Sequence, residues 1–215
     1  MDIAAIAARA PVIPVLTIDR VADAVPLARA LVKGGLPVLK VTLRTPVALD
    51  AIKAMAAEVP AAVLGAGTVL DANQIDQAGR AGARFLVSPG CTQALAHAAA
   101  ASDLPFLPGV QTVSEAMARS EQGFRLMKFF PAEQAGGLGW LKAVAAPLAG
   151  LSFCPTGGIG ADSAASYLAL ANVTCVGGSW VAPSDAVAAG DWERVERLAT
   201  AAANLRSSAR PAAAS

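Results

Sequence analysis

Eight short apolar runs, each followed by a helix-like stretch, recur along the chain: Val12 to Leu16, Pro37 to Leu43, Ala62 to Gly65, Arg84 to Val87, Pro105 to Leu107, Phe124 to Phe130, Leu151 to Cys154 and Val173 to Val176. Their starts lie about 20 to 27 residues apart, room for one strand, a turn and one helix per unit. Continuous apolar strands alternating with helices predict a parallel sheet covered by helices. Eight such units are what closes a (β/α)8 TIM barrel. An open doubly wound sheet is the competing arrangement. Helix starts are marked by Asp19, by Asp71, and by Thr112 or Ser114, residue types whose side chains satisfy free backbone N–H groups. Ile3 to Arg9 suits a short helix capping the barrel bottom. No linker interrupts the chain, so residues 1–206 are read as one α/β domain and 207–215 as a flexible tail.

Composition narrows the function classes. A net charge of +1, with 15% charged residues, gives no electrostatic reason to invoke nucleic acid or an anionic membrane. Cys91, Cys154 and Cys175 are odd in number and far apart, with neither disulfide-framework nor zinc spacing, and read as buried thiols in a reducing compartment. The opening segment is broken by Asp2 and Arg9, and no apolar run approaches the roughly 20 residues of a membrane helix, so a cytoplasmic protein is expected. Walker and GxGxxG fingerprints are missing, which leaves nucleotide cofactors unsupported.

In such barrels the chemistry gathers at the C-terminal ends of the strands. There the sequence places Lys40, Thr42 and Arg44 after the second run, Gly65-Ala66-Gly67-Thr68 after the third, Ser88-Pro89-Gly90 after the fourth, and Lys128 within the sixth. Pro155-Thr156-Gly157-Gly158 and Gly177-Gly178-Ser179 close the seventh and eighth. Alternate residues of a strand share a face, which puts Lys40 with Thr42 and Arg44, and Lys128 with Phe130. A lysine inside an apolar strand has its charged form disfavoured, so a neutral, nucleophilic amine becomes available for Schiff-base chemistry. The alternative for Lys128 is a strand-end lysine that snorkels to water. The paired glycines after the last two strands suit a phosphate held by backbone N–H groups, although Gly-Gly also serves tight turns. His97 sits in an alanine-rich helix and is expected to be structural; Trp140, Trp180 and Trp192 are expected to pack.

Taken together, Val41-Thr42-Leu43-Arg44-Thr45, Gly65 to Leu70, Ser88-Pro89-Gly90, Lys128 to Glu133, Phe153 to Gly158 and Gly177 to Trp180 resemble the bacterial 2-keto-3-deoxy-6-phosphogluconate (KDPG) and 4-hydroxy-2-oxoglutarate aldolases. The resemblance implies a homotrimeric (β/α)8 class I aldolase that needs no metal or other cofactor and releases pyruvate and glyceraldehyde 3-phosphate. It implies Lys128 as the Schiff-base lysine, Arg44 and Thr68 on the pyruvate carboxylate, and Phe130 and Pro89 as pocket walls. Thr156 would orient the substrate hydroxyl, and Gly157, Gly158, Gly178 and Ser179 would hold the phosphate.

One position departs. The family pattern Leu-Glu-Val-Thr-Leu-Arg carries a glutamate that shuttles protons, and here Lys40 stands in its place. Two ammonium groups about 5 Å apart at an effective dielectric near 20 repel by roughly 3 kcal/mol, about 2 pKa units. An unshifted lysine is neutral only about 0.04% of the time at pH 7, and one lowered to about 8 roughly 10%. Lys40 and Lys128 are therefore expected to form a coupled pair in which one amine attacks while the other stays charged, with turnover reduced or altered. A catalytically silent barrel that binds a phosphorylated ligand, or an assembly subunit, is the reading from another class.

Overall fold

The computed structural model describes residues 2–205, so the tail expected at 207–215 lies outside the described residues. Strands and helices alternate along the chain except that the fifth strand is followed directly by the sixth and the ninth helix by the tenth, and every strand pairing among the described residues is parallel. The first strand, β1 (Val12–Leu16), coincides with the first apolar run. It is flanked by β2 (Val38–Thr42) and β9 (Val176–Gly178), and a six-stranded sheet runs on through β3 (Val63–Gly67), β4 (Phe85–Val87) and β5 (Phe106–Leu107) in the order β5-β4-β3-β2-β1-β9. A second sheet holds β6 (Gly109–Val110), β7 (Leu126–Phe129) and β8 (Ser152–Pro155) in sequence order.

Two details differ from expectation. The fifth run, Pro105 to Leu107, holds β5, and an unexpected short strand, β6, follows it after Pro108, which has no backbone N–H to donate. The last strand begins later than Val173. Val173 makes an isolated bridge to Phe153, and pairing resumes with Thr156 opposite Gly177, one residue out of step, so residues 174 and 175 absorb a local bulge.

Helices α2 (Val21–Lys33), α3 (Ala48–Glu58), α4 (Ala72–Arg80), α5 (Gln93–Ala100), α6 (Val113–Glu121), α7 (Gly137–Val144) and α8 (Ala161–Leu168) fill the connections, followed by α9 (Ser184–Ala189) and α10 (Trp192–Ala203). Asp71 caps α4 by accepting from the Gln74 N–H at 2.9 Å. Thr112, not Ser114, opens α6, and Glu115 reaches back to complete a capping box. Asp19 does not cap α2. Arg20 occupies that position without a side-chain cap, and its guanidinium pairs with Asp23 at 2.8 Å.

The core has two compartments. The larger lies between strands and helices and includes Leu39, Val41, Leu64, Phe129 and Phe153. Trp140 stacks on Phe129 at 4.2 Å, as a packing role requires. The smaller compartment lies inside the curled strands and joins Ile13, Val38, Phe85, Val87, Leu107, Leu126, Cys154 and Cys175. Helix α1 (Ile3–Ala7) contributes Ile6 and Ala7 to it. Among the described residues no helix is long and apolar enough to cross a membrane.

Candidate active site

Strand alternation explains why the site sits above this inner compartment. Val38 points into the apolar interior, and two residues later Lys40 shares that face, followed by Thr42 and Arg44. On β7, Leu126 points inward and Lys128 follows it in the same way. The result is a cavity of about 270 Å³ lined by Lys40, Thr42, Arg44, Thr68, Lys128, Phe130 and Thr156 together with Gly157, Gly158, Gly178 and Ser179. Both lysines are only 4% exposed, which excludes the snorkelling alternative for Lys128. Its Nζ lies 4.0 Å from the centroid of the Phe130 ring.

Burial dominates the electrostatics. It lowers Lys128 to about 6, with the charge of Lys40 and then that of Arg44 adding to the effect and Cys154 opposing it. Burial also brings Lys40 down to about 8; Arg44 acts in the same direction, and Cys154 and Cys175 oppose it. Neither lysine takes part in any of the ion pairs among the described residues, all of which lie on the surface. At neutral pH the cavity therefore offers a neutral amine on Lys128 beside a charged one on Lys40. Sequence reasoning anticipated the pairing but assigned too much of the shift to repulsion and too little to desolvation.

Arg44 donates from Nε to the Thr68 hydroxyl at 3.2 Å, leaving the rest of its fork free for a carboxylate. Thr68 has a φ of 61°, a strained conformation that β-branched residues rarely adopt and of the kind that clusters at active sites. Thr42 donates to the Leu16 carbonyl at 3.0 Å and shares a hydrogen bond with Thr17, 3.2 Å away, tying β2 to the end of β1. Gly157 and Gly158 take φ values of +101° and +80°, open only to glycine at low strain.

Pro89 does not line this cavity. It belongs to a neighbouring hollow with Gly90, Val110, Gln111, Glu115 and Pro131, and Phe130 is the wall between the two. The cause is close packing, since a Cβ on Gly109 would run into the carbonyl of Pro89, and the Gly109 N–H donates to the Ser88 hydroxyl at 3.2 Å. Gly177, read with Gly178 as one of the paired glycines, also lines the cavity, whereas sequence reasoning passed over Val15, Thr17 and Ile159. Thr17 follows the end of β1, so the strand-end rule was available to find it. Cys154 was read only as a buried thiol. It is the Cα partner of Lys128 on the adjacent strand, and its hydrogen bond with Cys175 lowers its thiol to about 7, helped by the charges of Lys40 and Lys128.

Comparison with known proteins settles the family. Residues 3–198 match the aldolase family described as KDPG and KHG aldolase. The chain belongs to this family. It is 50% identical over 189 residues to the KHG/KDPG aldolase of Escherichia coli (strain K12), covering 88% of this chain and 89% of that protein. A crystal structure of 2-keto-3-deoxy-6-phosphogluconate aldolase from Zymomonas mobilis is similar, with a TM-score of 0.92, 48% identity and coverage of 98% of this chain and all of that one. The KDPG aldolase of Legionella pneumophila, solved with pyruvate captured as a covalent carbinolamine intermediate, has a TM-score of 0.91 at 45% identity over 93% of this chain and 97% of that one.

Proposed function

We propose that this member of the aldolase family is a class I enzyme that reversibly cleaves 2-keto-3-deoxy-6-phosphogluconate to pyruvate and glyceraldehyde 3-phosphate through an imine on Lys128. The single observation that carries the reading is the buried amine of Lys128, depressed to about 6, in a cavity that also holds Arg44. The relatives' names and the pyruvate carbinolamine of the Legionella enzyme support the substrate class.

Each step then has a residue. Arg44 and Thr68 take the carboxylate of the 2-oxo acid. The neutral Lys128 amine attacks C2, and the Lys40 ammonium gives its proton to the oxygen that leaves as water. Lys40, now neutral, removes the proton of the C4 hydroxyl, which Thr156 orients, while the C3–C4 bond breaks. The protonated imine receives the electron pair as an enamine. Lys40 returns the hydroxyl proton to C3, and water then hydrolyses the protonated imine to pyruvate and the neutral Lys128 amine, the proton released going back to Lys40. Gly157, Gly158, Gly178 and Ser179 hold the phosphate. Pro89 shapes the neighbouring hollow and reaches substrate only through Phe130. A catalytically silent barrel is the weaker reading, because a purely structural cavity has no use for two desolvated amines.

The same reading extends to architecture and setting. The two sheets are segments of one (β/α)8 barrel over residues 1–206, supported by the single residue between β5 and β6, by the Thr156 to Gly177 bridge, and by an inner compartment fed from both sheets. Family membership supports a cytoplasmic homotrimer acting without a cofactor.

The test is borohydride reduction in the presence of pyruvate, followed by peptide mass analysis. A pyruvate-derived adduct on Lys128 is expected. An adduct on Lys40 relocates the nucleophile, and no adduct removes the imine mechanism.

A further inference from the structure

The loop that carries Gly157 and Gly158 is held from behind by the segment after β7. The Ala132 N–H donates to the Thr156 carbonyl at 2.9 Å, and the Glu133 N–H to the Gly157 carbonyl at 3.1 Å. The stem of Glu133 lies flat against Gly158, so close that a Cβ there would stand 2.5 Å from Glu133 Cγ and 2.7 Å from its Cβ. This puts an exposed carboxylate beside a loop whose proposed ligand is an anion. Left mobile, it would repel a phosphate and compete for the glycine N–H groups.

Tyr167 is placed to prevent that. It projects from α8, is 1% exposed, and donates its hydroxyl to Glu133 Oε1 at 2.6 Å, the short distance of a charge-assisted bond. The hydroxyl also abuts Gly137 at the start of α7, where a Cβ would come within 2.8 Å of it. Burial raises the Tyr167 pKa, and the bond to Glu133 raises it further, so the phenol remains a donor across the working pH range.

We propose that Tyr167 is a positioning residue for the phosphate end of the substrate: it ties the Glu133 carboxylate back from the Gly157-Gly158 loop and leaves those N–H groups to the anion. The inference rests on the proposed aldolase reading, and it assigns Tyr167 no contact with substrate.

The experiment compares Tyr167→Phe, Glu133→Gln and the double variant with the unaltered protein. The readouts are cleavage of the phosphorylated substrate and of unphosphorylated 4-hydroxy-2-oxoglutarate, together with the Kd of inorganic phosphate. Tyr167→Phe should raise KM for the phosphorylated substrate and the phosphate Kd about five- to tenfold, the scale of one ordinary net hydrogen bond. Its kcat and its KM for 4-hydroxy-2-oxoglutarate should stay within about twofold, since that substrate has no phosphate to repel. Adding Glu133→Gln should restore phosphate binding, because a neutral amide neither repels nor displaces the anion. Equal losses on both substrates, no change in phosphate Kd, or no rescue by the double variant would overturn the proposal. Borohydride trapping of pyruvate on Lys128 in every variant keeps its outcome separate from that of the aldolase reading.

Discussion

Gly67 is bare because Lys40 fills the space beside it: a Cβ at Gly67 would stand 2.9 Å from both Cγ and Cδ of the lysine stem. The glycine on β3 is thus a mould for the side chain on β2, its partner strand. Gly67→Ala should displace the Lys40 amine and lower aldol cleavage by about tenfold or more, as misplacement of a proton-transfer group does. Pyruvate should still be trapped on Lys128, and unfolding in urea should show a folded protein. Unchanged cleavage would mean that the position of Lys40 has no bearing on turnover.

An amine is a poor shuttle beside a second cation, since each proton it holds is repelled by its neighbour. Lys40→Glu should therefore raise cleavage of the natural sugar phosphate at least about tenfold, within the range general acid–base catalysis supplies. Activity equal to or below that of the unaltered protein counts against a shuttle at this position.

The two amines predict a bell-shaped pH profile for imine formation with pyruvate. The rate should rise as Lys128 loses its proton near 6 and fall as Lys40 loses its own near 8. In Lys40→Met the upper limb should vanish. The lower limb should move to higher pH, because a positive neighbour no longer lowers Lys128. Stopped-flow rates across pH 5 to 9, about one unit beyond each limb, decide it.

Stability should also follow pH, and in one direction. Between about 6 and the ordinary lysine value near 10.4, the unfolded chain binds a proton at Lys128 that the folded chain does not, so stability rises with pH through that window. Lys40 adds the same slope above about 8, and the lowered Cys154 thiol adds to it from about 7. Urea midpoints should increase from pH 6 to pH 9, a range set by those values. Lys128→Met should flatten the rise and be more stable than the unaltered protein at pH 6, where the buried ammonium is most unfavourable.

Strand content and strand-face parity were legible because apolar runs of fixed spacing admit few alternatives. Lys40, Arg44 and Lys128 could be placed together from alternation alone, and they line one cavity. What the sequence could not convey depends on packing between distant segments. The backbone of Pro89 and Gly90 packs against Gly109, about twenty residues further along the chain, and no local pattern reports that. The start of the last strand slips because a bulge at 174 and 175 changes its register with β8, a property of the pair of strands. Cys154 looked inert because its importance comes from standing opposite Lys128 across a strand boundary.

Helix α1 supplies Ile6 and Ala7 to the same inner compartment as Val38, one step along the strand face from Lys40, and as Leu126, one step from Lys128. Those two side chains close the interior at the end away from the lysines. The five-residue helix at the start of the chain thus acts as a stopper against water. Desolvation is the largest cause that holds both amines below the ordinary lysine value, so the apolar layer that α1 completes belongs to the chemistry of a cavity it does not touch.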